Sequence, residues 1–140
     1  MNSLALNQPA LASPEAISAA ADSFWQIADA LHLSLRAISE QLGVTTVEAY
    51  ALITEEYGLR TRLGILRGDA ANRVVAGIGI SQQDFLALLS SAATFIRHSR
   101  SVDQIASVVN TVSVLCVSIF PGKRSTVNFL LDQLKAELSS

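Results

Sequence analysis

The sequence is short of the residues that most often carry chemistry. One cysteine, Cys116, among 140 residues leaves no internal disulfide and no cysteine metal cluster. It is expected to be a small buried apolar side chain. Two histidines, His32 and His98, stand without a companion at metal-ligand spacing. His32 reads as a partly exposed helix residue and His98 as an exposed helix end. The glycines fit no phosphate-cradling loop. Glu55 and Glu56 are adjacent, and neighbouring helical positions point about 100° apart, so the two carboxylates do not converge on one substrate atom. No catalytic constellation emerges, and neither an enzyme, a cofactor nor a metal is expected.

Charge is also scarce. Only 16% of the residues are charged and 6% aromatic, against 50% hydrophobic. A chain this apolar is expected to have a sizeable interface as well as a core. The longest uncharged run, residues 105–122, is interrupted by serines, Asn110 and Thr111 and ends at Pro121-Gly122. A membrane span needs about 20 mostly apolar residues. The opening "MNSLALNQPALASPEA" lacks the positive start and apolar centre of a secretory signal. A cytoplasmic protein without a membrane segment is expected.

What is present is helical periodicity. Residues 1–12 read as a flexible leader, and residues 13–140 as a single all-helical domain of about six helices. Ser13-Pro14-Glu15 is a helix start: a capping hydroxyl, a proline at the first helical position, and an acid at the positive end of the dipole. From there Ile17, Phe24, Leu31 and Ile38 recur every seven residues, joined by Ala28, Leu35 and Leu42, and Gly43 supplies a stop. This long amphipathic helix suits a seam with a partner, so Ile17, Phe24, Leu31, Leu35 and Ile38 are the expected oligomer interface. Trp25, beside Phe24, reads as core or interface. Thr45 with Glu48 forms a capping box for a second helix, which Gly58 is expected to end near Tyr57. "LRTRLGILRGD" then reads as a connector with one helical turn at most.

Asp69 can cap a short helix through Ala76. Ser81 with Asp84 can open one reaching about His98, and Ser101 with Gln104 another through Ile119. The latter carries Ile105, Val108, Val109, Val112, Leu115, Cys116 and Ile119 on one face. Its β-branched residues also allow a strand, but no other segment offers that strand a partner. A last helix over residues 125–138 shows Val127, Leu130, Leu131, Leu134 and Leu138.

Charge is segregated along the chain. Residues 1–57 hold seven acids against Arg36, while residues 58–100 hold six arginines against Asp69 and Asp84. Arginine grips phosphate by paired hydrogen bonds, so the middle segment suits contact with nucleic acid. Equally, these arginines can pair with the acidic first helices, within the chain or across a dimer. In "VVAGIGISQQDFLAL", residues 74–88, Gly79 stands between apolar residues that could lock two short helices at a steep angle, as a helix-turn-helix requires. Ser81, Gln82 and Gln83 would then begin the exposed second helix, with Gln able to pair with an adenine edge. The plainer reading is a tight corner between core helices. On the first reading Arg67, Arg73, Ser81, Gln82, Gln83, Arg97 and Arg100 are the candidate DNA contacts. A second segment of this kind, residues 38–52, is acidic and argues against DNA.

The blocks "RLGI" (residues 62–65) and "IGISQQDFLALLSSAATFIR" (residues 78–97) resemble the FlhD family, subunits of a flagellar transcriptional activator. Ile78, Ile80, Gln82, Leu86, Ala87 and Arg97 carry the likeness. It covers residues 62–97 and a shared layout with a long first helix. The present chain is longer at both ends, has two extra residues between the blocks, and places Thr94 where the family has its intersubunit cysteine. The resemblance implies a helical homodimer that binds promoter DNA weakly alone and acts with a second, zinc-containing regulatory subunit. The expectation is therefore an all-α DNA-associated regulator. Its rival is a helical interaction module, such as an adaptor, chaperone or immunity protein, with no nucleic-acid role.

Overall fold

A computed structural model describes residues 6–42 and 47–139. It is all-α: α1 (Pro14–Leu42), α2 (Val47–Gly68), a single 3-10 turn (Ala70–Asn72), α3 (Gln82–His98), α4 (Val102–Ile119) and α5 (Arg124–Ser139). The helices close a ring in which α1 touches α3 and α2, α2 touches α4, α4 touches α5, and α5 returns to α3. The core lies inside that ring. Phe24 of α1 meets Phe85 of α3 edge to face, with ring centroids 6.2 Å apart, a favoured aromatic geometry.

Local signals act where they stand. The Ser13 hydroxyl accepts from the Ala16 N–H at 3.1 Å, Ser81 from Asp84 at 3.1 Å, and Ser101 from Gln104 at 3.3 Å. Each satisfies one of the orphan donors of a first helical turn. Residues 102–119 are helix, not strand, and all seven apolar residues expected on the inner face of α4 are buried. By length and composition α4 could cross a membrane, with mean hydropathy 1.6, but 56% of it is packed inside the fold. Cys116 is fully buried there, and burial pushes its thiol up to about 12. The stop expected at Gly43 and the cap expected at Thr45 lie outside the described residues.

Three expectations fail. First, α2 does not end at Tyr57; it continues through Gly58 and Gly64 to Gly68. Each interior glycine costs about 1 kcal/mol. Burying Leu59, Leu63 and Leu66 returns roughly 1.5–3 kcal/mol apiece, so burial wins. Second, the short helix expected from Asp69 through Ala76 is reduced to the 3-10 turn Ala70–Asn72, and residues 73–80 contain no helix, so no α-helix directly precedes α3 as a helix-turn-helix requires. The corner is set by Gly77, at φ +80°, a left-handed conformation that favours glycine. Asn128 of α5 holds this corner, accepting from the Gly79 N–H at 2.8 Å and donating to the Gly77 carbonyl at 3.1 Å.

Third, the leader is docked from residue 8 onward. The Gln82 N–H donates to the Gln8 carbonyl, Ala10 N–H to Ile80, and Val75 N–H to Leu11, at 2.8–2.9 Å. Ala10 and Leu11 are fully buried. Leu11 takes φ 63°, a conformation that costs a non-glycine residue about 1–2 kcal/mol. It is held there because its N–H donates to Gln82 Oε1 at 3.0 Å while its carbonyl accepts from Val75.

Gln82→Ala orphans the buried Leu11 N–H, and should cost about 2 kcal/mol; proteolysis should then cut first within residues 6–12. Unchanged stability and cleavage pattern would contradict the anchoring role. The Ser34 hydroxyl is buried, with no hydrogen-bond partner among the described residues. Ser34→Ala should therefore raise stability in urea denaturation by up to about 1 kcal/mol, and a loss of that size would refute it.

Candidate functional site

The α1–α2 pair is antiparallel, and its polar seam explains the segregated charge. Asp22 and Asp29 lie seven residues apart on α1; Arg67 and Arg60 lie seven apart on α2. Arg67 reaches Asp22 at 2.6 Å and Arg60 reaches Asp29 at 2.9 Å. Trp25 lies between them, with the two guanidinium carbons 5.3 and 4.9 Å from its ring centroid. Arg60 also donates through Nε to Glu56 at 2.9 Å, and the other oxygen of Glu56 faces His32 Nδ1 at 3.3 Å. Burial works to lower the Arg60 pKa, but its hydrogen bonds to Glu56 and Asp29 carry it above its ordinary value. A shallow cleft of about 480 Å³ opens beside this network, walled by His32, Arg36, Tyr57 and Arg60. Glu56, almost fully buried, is committed to two partners, so it serves as a structural counterion rather than a free base.

The seven candidate DNA contacts do not converge. Gln82 is 2% exposed and sits under the N-terminal segment, its amide donating to the Ala16 carbonyl at 3.0 Å. It cannot read a base edge without undocking residues 8–11. Ser81 caps α3. Arg67 is on the α1–α2 seam. Arg73 binds Asp69 at 3.1 Å, donates to the Phe120 carbonyl at 3.2 Å and stacks on that ring. Gln83, Arg97 and Arg100 are exposed, but Gln83 and Arg97 are fourteen residues apart, about 21 Å along the helix. The proposed seam residues are likewise occupied: Ile17, Phe24 and Leu31 are fully buried, and Leu35 and Ile38 nearly so, all within one chain. A long heptad-like stripe served the protein's own core.

One surface was missed from the sequence. The core face of α2 reads Ala49, Leu52, Glu56, Leu59, Leu63, Leu66, an alternating three–four spacing. Opposite it, at the same spacing, run Val47, Tyr50, Thr54, Tyr57 and Thr61, continued by Gly64, Ile65 and Gly68. Val47, Tyr50, Tyr57 and Ile65 are 82, 64, 72 and 51% exposed. Thr54 and Thr61 turn their hydroxyls back onto the Tyr50 and Tyr57 carbonyls at 3.3 and 3.0 Å. The stripe from Val47 to Ile65 thus carries no charge of its own, with Glu48, Glu55 and Arg62 along one flank, where a solvated face normally carries charged and polar groups. The signal that could have revealed it is the unbroken three–four spacing through Gly58, hidden by a glutamate at a core position.

Comparison with protein-family models, curated proteins and solved structures gave no match. The likeness to FlhD rests on the quoted residues alone.

Removing Arg60 leaves Glu56 buried beside a single histidine. Arg60→Ala is expected to destabilise the fold by about 3 kcal/mol, as loss of one partner of a buried ion pair does, while Arg97→Ala should stay within about 0.5 kcal/mol. Equal effects in denaturant titrations would show that the seam network does not hold the helices.

Proposed function

We propose that this chain is a helical protein–protein interaction module, of the adaptor, chaperone or immunity type, working in an aqueous compartment through the outward face of α2. The uncharged stripe from Val47 to Ile65 carries this reading. Two exposed tyrosines on a rigid helix are the chemistry of a binding surface, where aromatic residues are enriched and charge is depleted. The apolar composition accords with it: all five helices contribute to the core, and the α2 stripe is apolar surface in addition.

A DNA-associated regulator, which the FlhD resemblance implies, has thinner support. Its arginines at 60, 67 and 73 already hold acids, its key glutamine is buried, and of its exposed candidate contacts Arg67 is taken up by Asp22, which leaves Gln83, Arg97 and Arg100.

A photo-crosslinking residue placed at Tyr57 in the native host should give a discrete protein adduct, and one at Lys135 should not. Generic duplex DNA should show no retardation by the purified chain at low salt. Retardation with a steep salt dependence, together with no adduct at Tyr57, would sink the reading in favour of the regulator.

A further inference from the structure

We infer that the occupant of the α2 face is a second copy of this chain, docked with the two α2 helices antiparallel about a two-fold axis near Tyr57–Gly58. The inference rests on the reading of that face as a binding surface and adds the identity of the partner. It follows from the order of residues along the stripe. Antiparallel pairing centred there sets Tyr57 against the partner's Gly58, Thr54 beside Thr61, Tyr50 beside Gly64 and Ile65, and Val47 beside Gly68. Tyr57, Tyr50 and Val47 each meet a glycine, at 58, 64 and 68, and the two threonines meet each other, the reciprocal matching that a self-complementary two-fold interface requires.

Charge at the edge of the stripe agrees. On the α4 side of α2 lie Glu55 and Arg62, seven residues apart. Arg62 has no acid partner among the described residues, in contrast to Arg60 and Arg67. Its guanidinium lies over Gly58, where an added Cβ would come within 3.4 Å of it. Glu55 accepts from the Ser113 hydroxyl at 3.1 Å. A two-fold axis across the helices keeps like flanks together, so Glu55 of each copy falls within about one residue pair, some 3 Å along the axis, of Arg62 in the other. Two ion pairs form that one chain cannot make by itself.

Area sets the strength. A 22-residue helix is about 33 Å long and its face roughly 10 Å wide. Two α2 faces alone therefore bury only on the order of 700 Å², below the roughly 1,200 Å² at which stable interfaces begin. The Glu55–Ser113 bond places α4 alongside, and its outward positions Asn110, Val114 and Val117 are uncharged, with the valines 49 and 44% exposed. Adding that stripe, about 12 Å long, from both copies brings the total to on the order of 900 Å², the size of a weak, reversible encounter. A reversible dimer with micromolar affinity is expected.

Sedimentation velocity on the purified full chain, from about 1 to 200 μM, tests this at the micromolar scale expected. The wild type should pass from monomer to dimer, and Tyr57→Asp should stay monomeric with its circular dichroism unchanged. Glu55→Arg and Arg62→Glu should each weaken self-association on the order of ten-fold, since both symmetric pairs become repulsive. Mixed together, the two variants should form a heterodimer of near wild-type affinity, because every crossing pair is again opposite in sign. The mixture reports on pairing geometry even if one variant is less stable. A wild type that stays monomeric, or a mixture no tighter than its components, overturns self-pairing. If the wild type is monomeric yet a different protein crosslinks at Tyr57 in the host, only the second copy is wrong; if neither association occurs, the interaction reading falls as well.

Discussion

The fold depends on burying a 29-residue helix inside a single chain. α1 sits between α2 and α3, and its alanines at 20, 21, 28 and 30 are buried with no exposed surface. Small side chains let neighbouring helices approach closely, and the larger residues, from Ile17 to Leu31, fill what remains. Between its two ends α1 exposes one stripe, at Asp22, Gln26, Asp29, His32, Leu33, Arg36 and Glu40. Acids at its edge must then meet cations from α2. The segregation of charge along the chain is the consequence, because an antiparallel hairpin turns a difference between two sequence segments into a ladder of pairs between two helices.

The parts of this arrangement that were legible in the sequence are those whose cause is local. A serine hydroxyl caps an N–H three residues away, so Ser13, Ser81 and Ser101 announced their helices. The inner face of α4 was equally plain, since seven apolar residues at helical spacing need no knowledge of their neighbours. What stayed hidden depends on distant partners. Glu56 occupies a core position of α2 because Arg60 and His32 attend it, a pairing that no local signal announces, and Gly58 alone read as the end of the helix. Gln82 has the sequence context of an exposed first-turn residue. Its burial follows from Gln8, Leu11 and Ala16, which lie more than sixty residues earlier.

The same separation bears on function. An arginine-rich segment beside a glycine turn is compatible with a phosphate backbone and with a carboxylate, both of which accept the guanidinium fork. Sequence cannot choose between them. In the folded chain Arg60 and Arg67 bind Asp29 and Asp22 across Trp25, and contact with DNA would require those pairs to open. Opening Arg60 would strand the buried Glu56, a cost of several kcal/mol set against a phosphate contact made in solvent. On that comparison the arginines belong to the hairpin.

The outward face of α2 bears the opposite relation to the fold. Nothing in the core requires Val47, Tyr50, Tyr57 or Ile65 to be apolar, since each is at least half exposed. The rest of the protein supplies the control: the outward stripe of α1, of similar length, has charges at Asp22, Asp29, Arg36 and Glu40. The chain can therefore clothe a solvent-facing helix in charge, and does so one helix away. Two long helices in the same ring thus follow different rules on their outer faces. Stability of the ring explains the inner faces of both helices, and Asp22 and Asp29 through their pairs with Arg67 and Arg60, but not the outer face of α2. An uncharged stripe placed opposite a sealed core is what contact with another surface would explain, and on the proposed reading α2, rather than the segment around Gly79, is where this protein meets its partner.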